Sequence, residues 1–398
     1  MYLKRAIIPR FGPLSCTSSS ICPYFITITP LFSPFHKRLT RQLPLALGNS
    51  TSNLGSPSSQ LRAMSSSCIP VTQNGVQINQ IGGPEVLQYK SDMPVPNPAE
   101  GELLVKNHLA SVNYIDTYFR TGLYPSPKPE ILGREGVSTV VALGPGPNPY
   151  NFAVGDRVIW LNKGSYCQFS SISAAKAVKL PEGIADEDAL AAFLSGLTVL
   201  TLLKETYPVQ KGDWVLLHAA AGGAGILMTQ ILKKIGARVI GTAGGPEKVN
   251  LVKSFGTDVV IDYKSEEGKN WVKKVKDVTN GEGVEVVYDS VGKDTWEGSL
   301  EAVKSKGTVV WFGNSSGPVP PFQIQRLMAK NIKIARPQVF GYIESRADFE
   351  YYTTELFRLL KSGDIKTKIY KVYPLEDVAR AHDDIESRKT IGKLLLRP

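Results

Sequence analysis

Cysteine and histidine are scarce here, four of each among 398 residues. Cys16, Cys22 and Cys68 precede the first strand-like segment, and only Cys167 falls in the body of the chain. That excludes a disulfide framework and points to a reducing compartment. His36 is also N-terminal, and His108, His218 and His382 show no ligand spacing among themselves or with Cys167, so no metal is expected. No uninterrupted apolar run approaches the roughly 18 residues that span a bilayer, so no membrane association is expected.

Acidic residues are missing from the start of the chain. Residues 1–63 hold Lys4, Arg5, Arg10, Lys37, Arg38, Arg41 and Arg62, and the first acid is Glu85. Seven of the formal +10 therefore sit in this leader, leaving +3 for the rest, too little to argue for an RNA surface on charge alone. The leader is rich in Ser, Thr and Pro with scattered arginines, as organellar transit peptides are, and its prolines interrupt any secretory h-region. Residues 1–68 are expected to lack fixed structure. If residues 1–63 act as a transit peptide the protein is mitochondrial; initiation at Met64 gives a cytoplasmic one.

Beyond the leader the chain is patterned. Up to about Lys179 short strands alternate with Gly/Pro turns: Leu103–Lys106, Ser138–Val141 and Arg157–Trp160 read as strands of an irregular, mostly antiparallel β region. An apolar helix is expected over Ala189–Leu203. Strand and helix then alternate. Strands are expected at Trp214–Leu217, Arg238–Gly241, Val259–Asp262, Val284–Tyr288, Thr308–Phe312 and Ile332–Ile334, with helices near 246–255, 268–278 and 295–305. That alternation implies an α/β, doubly wound parallel sheet with its ligand at the carboxyl ends of the strands. The tail, a helix near 346–361, a strand at Lys368–Tyr373, a helix near 375–388 and a strand at Lys393–Leu396, is expected to pack back on the β region.

The first turn of that alternating unit carries the chemistry. Between an apolar strand and the helical run Ile226, Leu227, Ile231, Leu232 and Ile235 stands His218-Ala-Ala-Ala-Gly-Gly-Ala-Gly225. Glycines there let the backbone approach a diphosphate, and the N–H groups of the helix start meet its charge. Ala220 occupies the place of the first glycine of G-x-G-x-x-G, while Gly222 and Gly225 fit the others. The second strand ends in Thr242-Ala-Gly-Gly245 rather than a carboxylate, and Lys248 follows, so NADPH is favoured over NADH. Gly313-Asn-Ser-Ser-Gly317 satisfies G-x-S-x-G, with His382 downstream. A nucleophile elbow must feed a helix, however, and Pro318, Pro320 and Pro321 follow at once; a loop beside the nicotinamide is the better reading.

With Val112-Asn-Tyr-Ile-Asp-Thr-Tyr118, Gly122-Leu-Tyr-Pro125, Tyr288-Asp-Ser-Val-Gly292, Phe312–Gly317, Arg336-Pro337 and Glu386-Ser-Arg388, the chain from about Val71 onward resembles the zinc-free medium-chain dehydrogenases/reductases. Within them it closely resembles the NADPH:quinone oxidoreductases, the zeta-crystallin-like group. The resemblance implies a GroES-like domain (69–190), a Rossmann NADPH-binding domain (191–340), a C-terminal return to the first (341–398), and a homodimer joined through the last Rossmann strands. By the same resemblance Gly222, Gly223 and Ala224 hold the diphosphate, Gly244, Lys248 and Tyr263 surround the adenosine 2′-phosphate, and Ser290, Phe312, Gly313, Asn314 and Arg388 close over the remainder. Asn113 and Tyr118 line the nicotinamide and quinone pocket. They either donate hydrogen bonds to the substrate oxygen or only position the ribose and carboxamide. Zinc relatives carry a cysteine where this chain has Asn113, and Gly-His-Glu where it has Gly133-Arg-Glu135. Three activities are implied: quinone reduction, reduction of 2-alkenals or enones, and an RNA-binding or crystallin-like role.

Overall fold

A computed structural model describes residues 69–398; the leader, and the expectations placed on residues 1–68, lie outside the described residues. In chain order the first elements are β1 (Thr72–Ile78), β2 (Gln88–Pro94), β3 (Glu102–Val112), α1 (Tyr114–Thr121), β4 (Glu130–Ile131), β5 (Glu135–Leu143), β6 (Arg157–Leu161), β7 (Phe169–Ser173) and β8 (Ala177–Lys179). Then come α2 (Asp186–Thr201), β9 (Trp214–Leu217), α3 (Gly223–Ile235), β10 (Arg238–Ala243), α4 (Pro246–Ser254), β11 (Val259–Asp262), α5 (Trp271–Val278), β12 (Val284–Asp289), α6 (Trp296–Ala302), β13 (Val303–Trp311) and β14 (Lys333–Ala335). The tail supplies α7 (Val339–Tyr342), α8 (Arg346–Lys361), β15 (Ile369–Pro374), α9 (Val378–Glu386) and β16 (Lys393–Arg397).

The alternating half forms a six-stranded parallel sheet in the order β11-β10-β9-β12-β13-β14. Strand order reverses between β9 and β12, which opens a crevice at their carboxyl ends. The β half is a sheet ordered β15-β16-β3-β5-β6-β8, with β7 also paired to β3, beside a small β2-β1-β4 sheet. β16 joins β3 antiparallel, Leu395 opposite Ser111, so the tail does complete the first half. This is the Rossmann-plus-GroES-like arrangement.

α2 ties the halves together. Leu190, Ala191, Ala192 and Phe193 are all buried, at successive steps of about 100° round the axis, as in a helix surrounded by protein, and Asp186, Glu187 and Asp188 fill its first turn, where the helix dipole favours acids. It continues into a π-type turn over Leu202–Thr206. Asp186–Thr206 has the length and composition of a membrane span, but most of it is buried in the core.

Two expectations fail locally. The segment near 295–305 is helical only to Ala302. Val303 is buried and pairs with Val284, so the chain turns extended there instead of completing the helix. And α1 interrupts a region read as strands and turns only. Its start is fixed by the Asn113 N–H donating to Asp116 Oδ2 at 2.9 Å while the Asp116 N–H donates to the Asn113 carbonyl at 3.0 Å, and its end by Gly122 at φ 81°.

Candidate active site

A cleft of 1510 Å3 runs between the halves, and every site residue named from the sequence lines it. Its middle is built on the turn after β9. Ala219 takes a left-handed φ of 53°, the Gly222 N–H bonds back to its carbonyl at 3.0 Å, and α3 starts at Gly223. A Cβ on Gly225 would lie 2.5 Å from the Ala219 carbonyl oxygen, so this glycine lets helix and turn touch. The N–H groups of Gly223, Ala224 and Gly225 have no backbone acceptor among the described residues. They form an anion cradle at a helix start.

The turn is pinned from beneath by His218, to which the sequence alone assigns no role. Its Nδ1 meets Thr242 Oγ1 at 3.1 Å on β10, and its Nε2 meets Ser299 Oγ at 3.3 Å. Ser299 in turn donates to Asp289 Oδ2 at 2.9 Å, at the end of β12. Burial holds the imidazole below its usual pKa, with Asp289 pulling the other way, so a neutral ring locks three strand ends together.

One end of the cleft is cationic. A Cβ on Gly244 would lie 2.6 Å from the Tyr263 ring, which explains why the residues after β10 must be small. Lys248 Nζ donates to the Arg388 carbonyl at 2.8 Å, and the Arg388 guanidinium reaches Asp294 at 3.1 Å. Burial lowers the Lys248 pKa, as does the charge of Lys264. The Tyr263 hydroxyl is raised by burial and pulled back by the Arg388 charge, so Arg388 neighbours Lys248 and Tyr263 while its guanidinium holds Asp294 on the loop after β12.

The other end is aromatic. The Tyr118 hydroxyl accepts from the Asn314 N–H at 2.8 Å, and the Tyr124 ring packs edge-on against Tyr118 with centroids 5.3 Å apart. Arg336 donates to Tyr124 Oη at 2.9 Å and to the Trp311 carbonyl at 3.0 Å, and its Nη2 lies 3.0 Å from the Asn314 amide, whose oxygen accepts there once the amide is turned over. Gly313 allows the loops after β12 and β13 to touch, since a Cβ there would lie 2.5 Å from the Ser290 carbonyl oxygen. Phe312 lines this end.

Asn113 is in the cleft wall but is not free to donate outward. Its Nδ2 donates to Ser111 Oγ at 2.9 Å and to Glu135 Oε1 at 3.0 Å, and its oxygen accepts from Lys393. Both of its Nδ2 hydrogens are thus used within the wall. Glu135 is buried and accepts from Ser111, Asn113, Lys393 and the Leu194 N–H. Arg134 lies over the Phe119 ring at 3.7 Å and bridges to Glu130.

Behind α1, Arg120 donates to His382 Nδ1 at 3.0 Å, His382 Nε2 meets Tyr166 Oη at 3.2 Å, and Tyr166 donates to Asp116 Oδ2 at 3.0 Å. His382 is thereby committed within the β half and makes no bond to Ser315, in keeping with a loop rather than a nucleophile elbow. Among the described residues no group of three or more His, Cys, Asp or Glu gathers, and burial pushes the Cys167 thiol up to about 11.

Comparison with known proteins agrees with this geometry. Residues 99–193 match the alcohol dehydrogenase GroES-like domain and residues 223–358 the zinc-binding dehydrogenase domain. The chain is 43% identical to a quinone oxidoreductase of Salmonella typhimurium, across 81% of this chain and 99% of that protein. It is 41% identical to a probable quinone oxidoreductase of Schizosaccharomyces pombe, across 81% and 96%. The crystal structure of Escherichia coli quinone oxidoreductase complexed with NADPH superimposes with a TM-score of 0.78 at 42% identity, covering 82% of this chain and all of that one.

Proposed function

Because the chain belongs to the quinone oxidoreductases of the medium-chain dehydrogenase/reductase family, we propose that its cleft binds NADPH and reduces a quinone. The observation that carries this is the order of chemistry along one cleft: cations at Lys248 and Arg388, unpartnered N–H groups at Gly223–Gly225, then the Tyr118 hydroxyl. The residues fit a 2′-phosphorylated dinucleotide. None of Thr242–Gly245 at the end of β10 carries a carboxylate, the Asp262 carboxylate that reaches this turn is bound to the Gly245 N–H at 2.9 Å, and the cradle is bare backbone.

Bound NADPH supplies reducing equivalents at nicotinamide C4. Gly223, Ala224 and Gly225 bind the diphosphate through N–H groups, and Lys248, Tyr263 and Arg388 hold the 2′-phosphate. Tyr118 keeps its proton, because burial holds the hydroxyl well above its ordinary pKa. Its oxygen is occupied by the Asn314 N–H, so the hydroxyl donates into the cleft, toward a carbonyl oxygen gaining negative charge. Phe312, Tyr118 and Tyr124 exclude water from that end.

A quinone is electrophilic without a Lewis acid. We propose a reaction without zinc: Glu135 has both oxygens committed, and Asn113 and Arg134 stand where zinc relatives are implied to carry ligands. Full activity after exhaustive chelation is the expected result. The unpaired edge at β14 supports a homodimer, and the basic leader supports mitochondrial import, which a fusion of residues 1–68 to a fluorescent protein tests.

The deciding experiment is NADPH oxidation with 9,10-phenanthrenequinone beside a 2-alkenal of similar size. Faster turnover of the quinone is expected. Faster turnover of the alkenal would make this an enone reductase, and turnover of neither with salt-sensitive RNA binding would make it a binding protein.

A further inference from the structure

Lys393 is a buried cation of the cleft to which the proposed reaction gives no role. It follows Gly392, whose N–H bonds to the Ala221 carbonyl at 3.1 Å, so β16 is stitched to the glycine turn. The lysine stem passes 3.7 Å from where a Cβ on Gly223 would sit, and Ser195 Oγ lies at the same distance from that point. The ammonium ends against Asn113 Oδ1 and, at 2.9 Å, Glu135 Oε1. The Lys393 side chain is 5% exposed and that of Glu135 is fully buried. A buried ion pair contributes little to stability compared with an apolar pair of the same volume, so fold strength does not explain this one.

An ammonium carries three donors, and acceptors among the described residues take two. That leaves one donor on a residue that lines the cleft. Along the cleft Lys393 lies between Gly223, in the diphosphate cradle, and Asn113, at the start of the helix that presents Tyr118. The part of a nicotinamide dinucleotide between its diphosphate and its nicotinamide is a ribose with two hydroxyls. We infer that Lys393, with Ser195 beside it, donates a hydrogen bond to the nicotinamide-side ribose, and that Glu135 and Asn113 are positioning residues that aim it. This rests on the NADPH reading and adds a contact at the end of the cofactor opposite Lys248.

Calorimetric titration with NADPH, NADH and adenosine 2′,5′-bisphosphate, which carries only the adenosine end, tests it. Two loss variants are compared with Lys393→Arg: Lys393→Met, and Lys393→Met combined with Glu135→Gln, which leaves no bare buried carboxylate. Both are expected to bind NADPH and NADH about tenfold or more weakly, with the bisphosphate within about twofold of the parent protein and Lys393→Arg recovering part of the loss. Unchanged NADPH affinity in the double variant would overturn the inference. Equal losses for NADPH and the bisphosphate would also overturn it, since they report a distorted site. If the parent protein binds none of the three, the cofactor reading itself falls and takes this contact with it.

Discussion

The Tyr118 hydroxyl accepts a hydrogen bond from the Asn314 backbone N–H at 2.8 Å, closing the cleft across 196 residues of sequence. Tyr118→Phe removes the outward donor and leaves that N–H unpaired. Quinone reduction should lose about 10- to 100-fold in kcat, while NADPH affinity stays within about threefold. Steady-state rates beside a fluorescence titration separate the two. A loss confined to NADPH affinity would show that Tyr118 serves the cofactor alone.

At the opposite end, Lys248→Ala should weaken NADPH by about tenfold and leave NADH nearly unchanged, because only NADPH carries the 2′-phosphate. Burial and Lys264 lower the Lys248 pKa, so the ammonium is lost at lower pH than for an ordinary lysine. In the parent protein, NADPH affinity should therefore fall in the alkaline range while NADH affinity holds. Equal responses of both cofactors would remove Lys248 from the phosphate site.

Two glycines of one motif should fail in different ways. A Cβ on Gly222 meets only the Ala219 carbonyl oxygen, at 3.3 Å, so the branches of a valine would fill open cleft. Gly222→Val should abolish detectable NADPH binding with little change in melting temperature. A Cβ on Gly225 strikes backbone at 2.5 Å, and Gly225→Val should destabilise the fold itself. Thermal melts beside NADPH titrations distinguish the outcomes.

The parallel half was legible because its signals are local: apolar runs such as Trp214–Leu217 and glycine-bearing turns mark a strand–helix unit wherever they occur. α1 was missed because it is only eight residues long, so the helical spacing of Tyr114, Ile115, Tyr118 and Phe119 covers little more than one repeat, and its cap rests on the Asn113 N–H to Asp116 bond. The cluster of Ser111, Asn113, Glu135 and Lys393 was out of reach for another reason. Its members come from β3, the start of α1, β5 and β16, and no spacing in the chain announces that the last strand pairs with β3. Arg388 was named for closing over the cofactor, but its two contacts, its carbonyl at Lys248 and its guanidinium at Asp294, depend on a left-handed turn at φ 57° after α9 that no spacing announces.

The edge of the six-stranded sheet should be an interface. β14 pairs on one side only among the described residues, and Ile324, Met328 and Ile334 beside it are 68%, 71% and 40% exposed. Bare strand edges flanked by apolar side chains pair with another chain. Met328→Glu with Ile334→Lys should turn a dimer into a monomer in light scattering. A parent protein that is already monomeric would refute the interface.

Two buried groups behind α1 should pull the acid response of the fold in opposite directions, and a single variant removes one of them. Burial, the larger influence, pushes Asp116 from 3.8 to about 6 against its hydrogen bonds and nearby cations. Burial and then the Arg120 charge hold His382 from 6.5 down to about 3. For Asp116 the folded protein binds more protons than the unfolded chain between about pH 4 and 6, so stability falls as pH rises through that window. For His382 the unfolded chain binds more, so stability is lost as pH falls from about 6.5 toward 3. Asp116→Asn keeps an oxygen for the Asn113 N–H and the Tyr166 hydroxyl but cannot ionise. The His382 contribution and any fixed cost of the amide cancel in the difference between variant and parent. That difference should move in favour of the variant by up to about 3 kcal/mol from about pH 4 to pH 6 and stay level above it. Urea melts across that range measure it, and parallel curves would show that Asp116 is charged throughout.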